Sequence, residues 1–186
     1  MAEPQSPLAI GPITNKSVVE GALSHLNVNY DVPQLDLRAQ MVGVSLLSVP
    51  FYGDDEKLSF VVFIFIHESE SLLRAYAHIY TINENSNIGK LFRLINDINH
   101  SYLLDASIDY SAEGRSVRLK ANLRGYDDGL SARTVSVQLT NFFRVASDIS
   151  LLIRSTMGSS SDFELAYDEG KLALKKKTGW MGTSFM

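Results

Sequence analysis

Four histidines, His25, His67, His78 and His100, are the residues of this 186-residue chain best suited to metal or acid–base chemistry. None stands in an H-x-H pair or four residues from another, so no local metal motif exists. His67 and His78 end or line neighbouring predicted strands, with Glu68 and Glu70 close by in sequence. Spacing alone supplies no ligand geometry there, and a polar cluster at the strand ends is the better account. The acids Asp105, Asp109, Asp127 and Asp128 can do proton work only in a cleft that drives their pKa values apart. Asp105 and Asp109 instead fall beside Arg118 and Lys120 on one face of a predicted hairpin, where cross-strand charge pairing explains them. Asp127-Asp128 reads as a turn and helix cap. There is no G-x-S-x-G elbow, no Gly-x-Gly phosphate loop and no cysteine. Disulfides, thiolate metal sites and cysteine nucleophiles are therefore excluded. A hydrolase built on His67, His78 and nearby acids lacks a nucleophile–base pair. The chain is expected not to be an enzyme and to hold no cofactor and no metal.

The composition bounds the partners. With 45% hydrophobic residues and a formal net charge of −4, the chain has the apolar content of a folded domain and no basic excess for nucleic acid. Its one dense basic run, Lys175-Lys176-Lys177, reads as a solvated terminus. The longest apolar run, Leu58 to Ile66, is far shorter than the ~20 residues of a membrane span and is rich in strand formers. The opening MAEPQSPLAIGPITNKS has neither a basic n-region nor a long apolar h-region. A cytoplasmic protein with neither a nucleic-acid nor a membrane partner is expected.

Residues 1–13, with three prolines, read as a flexible leader. A helix is expected from Thr14 to Leu26, with Val18, Val19, Ala22, Leu23 and Leu26 on one face. Three strands follow. Met41 to Phe51 is an edge or terminal strand because of Pro50. Leu58 to His67 is apolar on both faces and so covered on both sides. Leu72 to Ile82 alternates Arg74, Tyr76, His78 and Tyr80 against Leu73, Ala75, Ala77 and Ile79. Ile88, Leu91, Phe92, Ile95 and Ile98 mark a helix from Ile88 to about Tyr102. Asp105 to Arg124 reads as a hairpin about Glu113-Gly114, the glycine being suited to a positive φ, with Asp109 opposite Arg118, Ile108 opposite Leu119 and Tyr110 opposite Val117. A long helix capped by Asp128 or Ser131 runs to Met157, with Gly158 as its C′ residue. Residues 158–186 form a tail, with a small hairpin expected about Asp168-Glu169-Gly170. The whole is an α+β layout, helix–three strands–helix–two strands–helix, an antiparallel sheet with helices packed on one face.

Helices on one face leave alternate side chains of the sheet facing elsewhere. Phe63, Phe65, Tyr76 and Tyr80, on two adjacent predicted strands, form an apolar patch of the kind that marks a dimer or client interface. A second layer made by the leader or the tail would bury the same patch.

Three segments carry a resemblance. IGKLFRLINDINHSYLL (88–104) contains an N-x-x-N stretch, Asn96 and Asn99, that runs directly into a strand. Asp105 to Asn122 is an acidic-to-basic hairpin, and Leu130 to Ile153 is a closing helix with paired aromatics, Phe142-Phe143. In these features, over residues 14–157, the chain resembles a YbjN-like domain of the type III secretion chaperone-like fold. The resemblance implies a bacterial, cytoplasmic, non-enzymatic homodimer, chaperone-like or regulatory. The expected function is thus an interaction module that binds a polypeptide client through Phe63, Phe65, Tyr76 and Tyr80. The alternative is a small-molecule-binding regulator, with a pocket between sheet and helices lined by Tyr76, His78 and Tyr80.

Overall fold

Alternating apolar residues on the strands and a 3.6-residue apolar period on the helices give each element one face to bury, and the fold is the packing of those faces. The computed structural model describes residues 14–35, 43–52, 59–70, 72–101, 103, 106–124 and 130–178. In chain order the elements are α1 (Asn15–His25), β1 (Val44–Phe51), β2 (Phe60–His67), β3 (Leu72–Thr81), α2 (Ile88–Ser101), β4 (Ala106–Ser111), β5 (Ser116–Arg124), α3 (Ala132–Gly158) and α4 (Phe163–Thr178). The strands form one antiparallel sheet in the order β1-β2-β3-β5-β4. This is the α+β architecture expected from the sequence.

One face of the sheet carries the core. Val62, Ile64 and Ile66 of β2, Leu73, Ala75, Ala77 and Ile79 of β3, and Val117 and Leu119 of β5 are all fully buried. They meet Val19, Ala22 and Leu23 of α1, Leu91, Leu94 and Ile98 of α2, and Leu139, Ala146, Ile149 and Ile153 of α3 in one cluster. At roughly 1.5–3 kcal/mol for each large apolar side chain taken from water, this layer outweighs any polar contact described below.

Local chemistry sets the element ends. Thr14 and Ser17 make a reciprocal capping box on α1, and Ser131 caps α3. Glu68, in the β2–β3 turn, accepts from the free N–H groups of Asn15 (2.9 Å) and Lys16 (3.1 Å), which seats a carboxylate on the positive end of α1. Asn15 returns the tie by donating to the carbonyls of His67 and Glu70, both at 2.8 Å. The β4–β5 register is the expected one, Asp109 opposite Arg118 and Ile108 opposite Leu119.

Three expectations are corrected. Residues 163–178 are a helix, not a hairpin. Ala166, Tyr167, Gly170 and Leu174 are buried at helical spacing, and they let α4 pack on α3. Asp168-Glu169-Gly170 therefore marks a close helix contact: a Cβ at Gly170 would lie 2.7 Å from Thr156 Oγ1. Positive φ in the β4–β5 turn falls on Arg115 (42°) rather than Gly114. Gly158 is the last residue of α3, ahead of an extended Ser159, and does not form a left-handed C′. The leader at 1–13, Asp105, Asp127, Asp128 and the tail end at 179–186 lie outside the described residues.

Candidate functional site

The second face of the sheet is lined by the other half of each alternation. Among the described residues no helix covers it, and a groove of about 620 Å³ runs over it. One wall is apolar: Val44 and Leu46 of β1, Phe63 and Phe65 of β2. The other is polar and cationic: Arg74 and His78 of β3, Arg118 and Lys120 of β5, and Asp109 of β4. Tyr76 sits between the walls, directly opposite Phe63 on one side and Lys120 on the other.

The aromatic residues touch along the sheet diagonals. Phe65 meets Tyr76 edge-on at 5.5 Å between ring centroids, and Phe63 meets His78 edge-on at 5.6 Å. Such contacts restrain the half-buried rings of Phe63, Phe65 and Tyr76, which leaves less side-chain entropy to lose on binding. Asp109 takes two bonds from Arg118, at 2.9 and 3.2 Å, and one from Lys120 at 3.1 Å. Burial alone would raise the Asp109 carboxyl. The bonds and charges of Arg118 and Lys120 together outweigh it and hold the group below the usual carboxylate value. The His78 imidazole is pushed down first by burial and then by the Arg118 charge, with Asp109 pulling the other way, so it is uncharged at neutral pH. Arg74 has no carboxylate within ion-pair distance among the described residues.

Of the four aromatic residues expected to form the patch, the fold brings Phe63, Phe65 and Tyr76 together and separates Tyr80. Between His78 and Tyr80 the β3–β5 register shifts, because Ile79 is an extra residue opposite the His78–Arg118 and Tyr80–Val117 pairs. Tyr80 then packs against the core rather than lining the groove. Ser150 of α3 stabilises this bulge by donating to the Ile79 carbonyl at 2.8 Å. The pocket expected between sheet and helices is corrected in the same way: Tyr76 and His78 line the opposite, open face.

The histidine–glutamate cluster does not form. Val62 pairs with Ala77 while His67 pairs with Leu72, so His67 and His78 sit at opposite ends of the β2–β3 ladder, roughly 17–20 Å apart at ~3.3 Å per residue. Both oxygens of Glu68 are engaged by α1. Among the described residues no group of three or more His, Cys, Asp or Glu is placed to hold a metal ion. No helix among them is long and apolar enough to cross a membrane. The cationic wall is the part of the groove that residue patterning missed as a site. Its signal was the alternation that sets Arg74 and His78 on the same side of β3 as Tyr76.

The edges of the sheet are closed by different means. At the β1 edge, the backbone of Asp31 exchanges both hydrogen bonds with Ser48, at 2.8 and 2.9 Å. At the β4 edge, the Asn99 side chain imitates a neighbouring strand. It accepts from the Ile108 N–H at 2.7 Å and donates to the Ile108 carbonyl at 2.9 Å. Each outer strand has its central backbone pair occupied, so adding a further strand there must first break two bonds. Asn99 of the N-x-x-N stretch is thus an edge cap, while Asn96 is exposed.

No protein-family model, no curated protein and no solved structure matches the chain.

Proposed function

We propose that this chain is a non-enzymatic interaction module that holds a polypeptide partner on the open face of its sheet. The observation that carries the reading is the groove itself, where Phe63, Phe65 and Tyr76 lie beside three cations that share one carboxylate. The closed edges favour binding across this face over strand addition. The element order is the feature of the fold on which the resemblance to a YbjN-like domain of the type III secretion chaperone-like fold rests, and we read the chain as a cytoplasmic protein of that kind. The homodimer that the resemblance implies uses another surface. Two copies stacked groove to groove would set Arg74, Arg118 and Lys120 against their own counterparts.

Native mass spectrometry of untagged protein from its own host reads oligomeric state and bound passengers together. The expected result is a co-purifying polypeptide that is lost in the Phe63→Asp, Tyr76→Asp double variant while circular dichroism stays unchanged. Undiminished partner recovery by a folded double variant overturns the proposal. A second reading, a small-molecule regulator, rests on the volume of the groove, which falls within the range of ligand sites. It predicts a small fixed mass on the native protein and a thermal shift with that compound.

A further inference from the structure

The groove carries three cations, Arg74, Arg118 and Lys120, against one carboxylate, Asp109, a formal excess of two positive charges on the same count that gives the chain its net charge. The whole chain carries a formal −4, so everything outside the groove sums to −6. A local positive face on an acidic protein attracts acidic partners and opposes basic segments and a second copy stacked groove to groove. Asp109 already engages Arg118 through two bonds and Lys120 through one. Arg74 keeps its full donor set among the described residues, and Lys120 retains donors that Asp109 does not use.

The register fixes the spacing of the two walls. Phe65 stands opposite Arg74 on the next strand, and Phe63 stands two strands from Lys120 through Tyr76. At ~4.8 Å per strand, the apolar wall and the far cations are about 10 Å apart, which is roughly three residues of extended chain. The face is open rather than enclosing, which suits a crossing chain better than a buried small molecule. Because the central backbone pair of each outer strand is occupied, recognition through the partner's side chains is favoured over strand addition.

We propose that the groove selects an extended acidic segment of a partner polypeptide, seating an apolar side chain on Phe63 and Phe65 and, about three residues away, an Asp or Glu carboxylate on Arg74 and Lys120. The proposal rests on the interaction-module reading and names the chemistry of its partner.

Fluorescence anisotropy with the full-length protein tests it. The probes are labelled peptides of three repeats of Phe-Ser-Ser-Glu, Phe-Ser-Ser-Gln or Phe-Ser-Ser-Lys, each at low and high salt. The expected result is at least about tenfold tighter binding of the Glu peptide than of the Gln peptide, with the preference fading in salt. Arg74→Ala and Lys120→Ala should each remove most of that preference, and Phe63→Asp should remove binding altogether. Arg74 is exposed, so its variant folds as the parent does, and matched thermal melts check this. Equal binding of the Glu and Gln peptides, abolished by Phe63→Asp, overturns acidic selection and leaves the interaction module standing. No peptide binding, with a co-purified partner still lost on Phe63→Asp, does the same. If neither peptide nor partner responds to Phe63→Asp, both readings fall. A concentration-dependent dimer abolished by Phe63→Asp assigns the face to a second copy and overturns the proposal. So does a carbodiimide cross-link from Lys120 to a carboxylate of its own chain other than Asp109, if the Glu peptide does not displace it.

Discussion

Asp148 offers the sharpest quantitative test of the core. It lies on α3 and is only 6% exposed. Burial pushes its carboxyl from 3.8 up to about 6, and the charge of Arg144, one turn earlier, pulls the other way. A carboxyl whose pKa is raised by folding is most favourable to the fold when protonated. Its contribution is complete below the unfolded value of 3.8 and is lost as pH rises through about 6. A rise of about two units corresponds to roughly 3 kcal/mol between the protonated and ionised forms, at about 1.36 kcal/mol per unit. Asp148→Asn keeps the shape and cannot ionise, so it should escape that penalty at pH 7.5. Urea unfolding of both proteins at pH 7.5 and pH 4 is the assay. The variant should gain about 1–3 kcal/mol over the parent at pH 7.5, and the gain should shrink towards zero at pH 4. His78 titrates across the same window, with its pKa lowered, so protonating it disfavours the fold as pH falls. It does so equally in both proteins and cancels in the difference. A variant less stable than the parent at pH 7.5, with the deficit shrinking at pH 4, would refute the reasoning, because it would mean that the fold holds the ionised carboxylate.

Three further outcomes follow from single contacts. Asn99→Ala orphans the N–H and carbonyl of Ile108, which is buried; it should cost about 2–3 kcal/mol in urea unfolding and raise light scattering as the β4 edge opens. Gly170→Ala drives a methyl to 2.7 Å from Thr156 Oγ1 and should lower the melting temperature by several degrees. Thr156→Ala in the same background should recover most of that loss, because it removes the facing atom, a buried hydroxyl with no partner. Asp109→Asn frees Arg118 and Lys120 and lifts the groove's excess from two positive charges to three; acidic-peptide binding should tighten severalfold with a steeper salt dependence, and weaker binding would contradict the charge argument.

What was legible in the sequence was local. The β4–β5 register follows from a single turn position, and the alternation along β3 holds as far as His78. It fails at Ile79 because the group that holds the bulge, Ser150, is 71 residues away, and no local pattern can report that bond. The α4 helix was misread because Asp168-Glu169-Gly170 has turn chemistry, while its helical reason, the fit of Gly170 against Thr156 and Leu152, is a tertiary contact. The aromatic half of the groove could be anticipated from β2 and β3 alone. Arg74 and His78 share that β3 alternation, but the β5 part of the cationic half could not be anticipated, because it depends on the strand order. Only when β5 inserts between β3 and β4 does Lys120 stand beside Tyr76, and Arg118 beside His78.

That insertion also explains how an open aromatic face is kept from self-association. A sheet face bearing Leu46, Phe63, Phe65 and Tyr76 alone would be an aggregation surface. Strand order places Arg74 opposite Phe65 and Lys120 opposite Tyr76, so these two rings each stand beside a cation that a second copy stacked face to face would have to meet. The two edges are closed by Asp31 on Ser48 and Asn99 on Ile108, which bars the commoner route of edge pairing. With helices on one face and the edges capped, the groove is the surface of the sheet left for recognition. Its cations then act twice. They oppose pairing between copies while the groove is empty, and they are the groups that a carboxylate-bearing partner must satisfy when it is filled. Selectivity against self and selectivity for an acidic segment therefore come from the same three side chains, and a variant that loses one should lose the other.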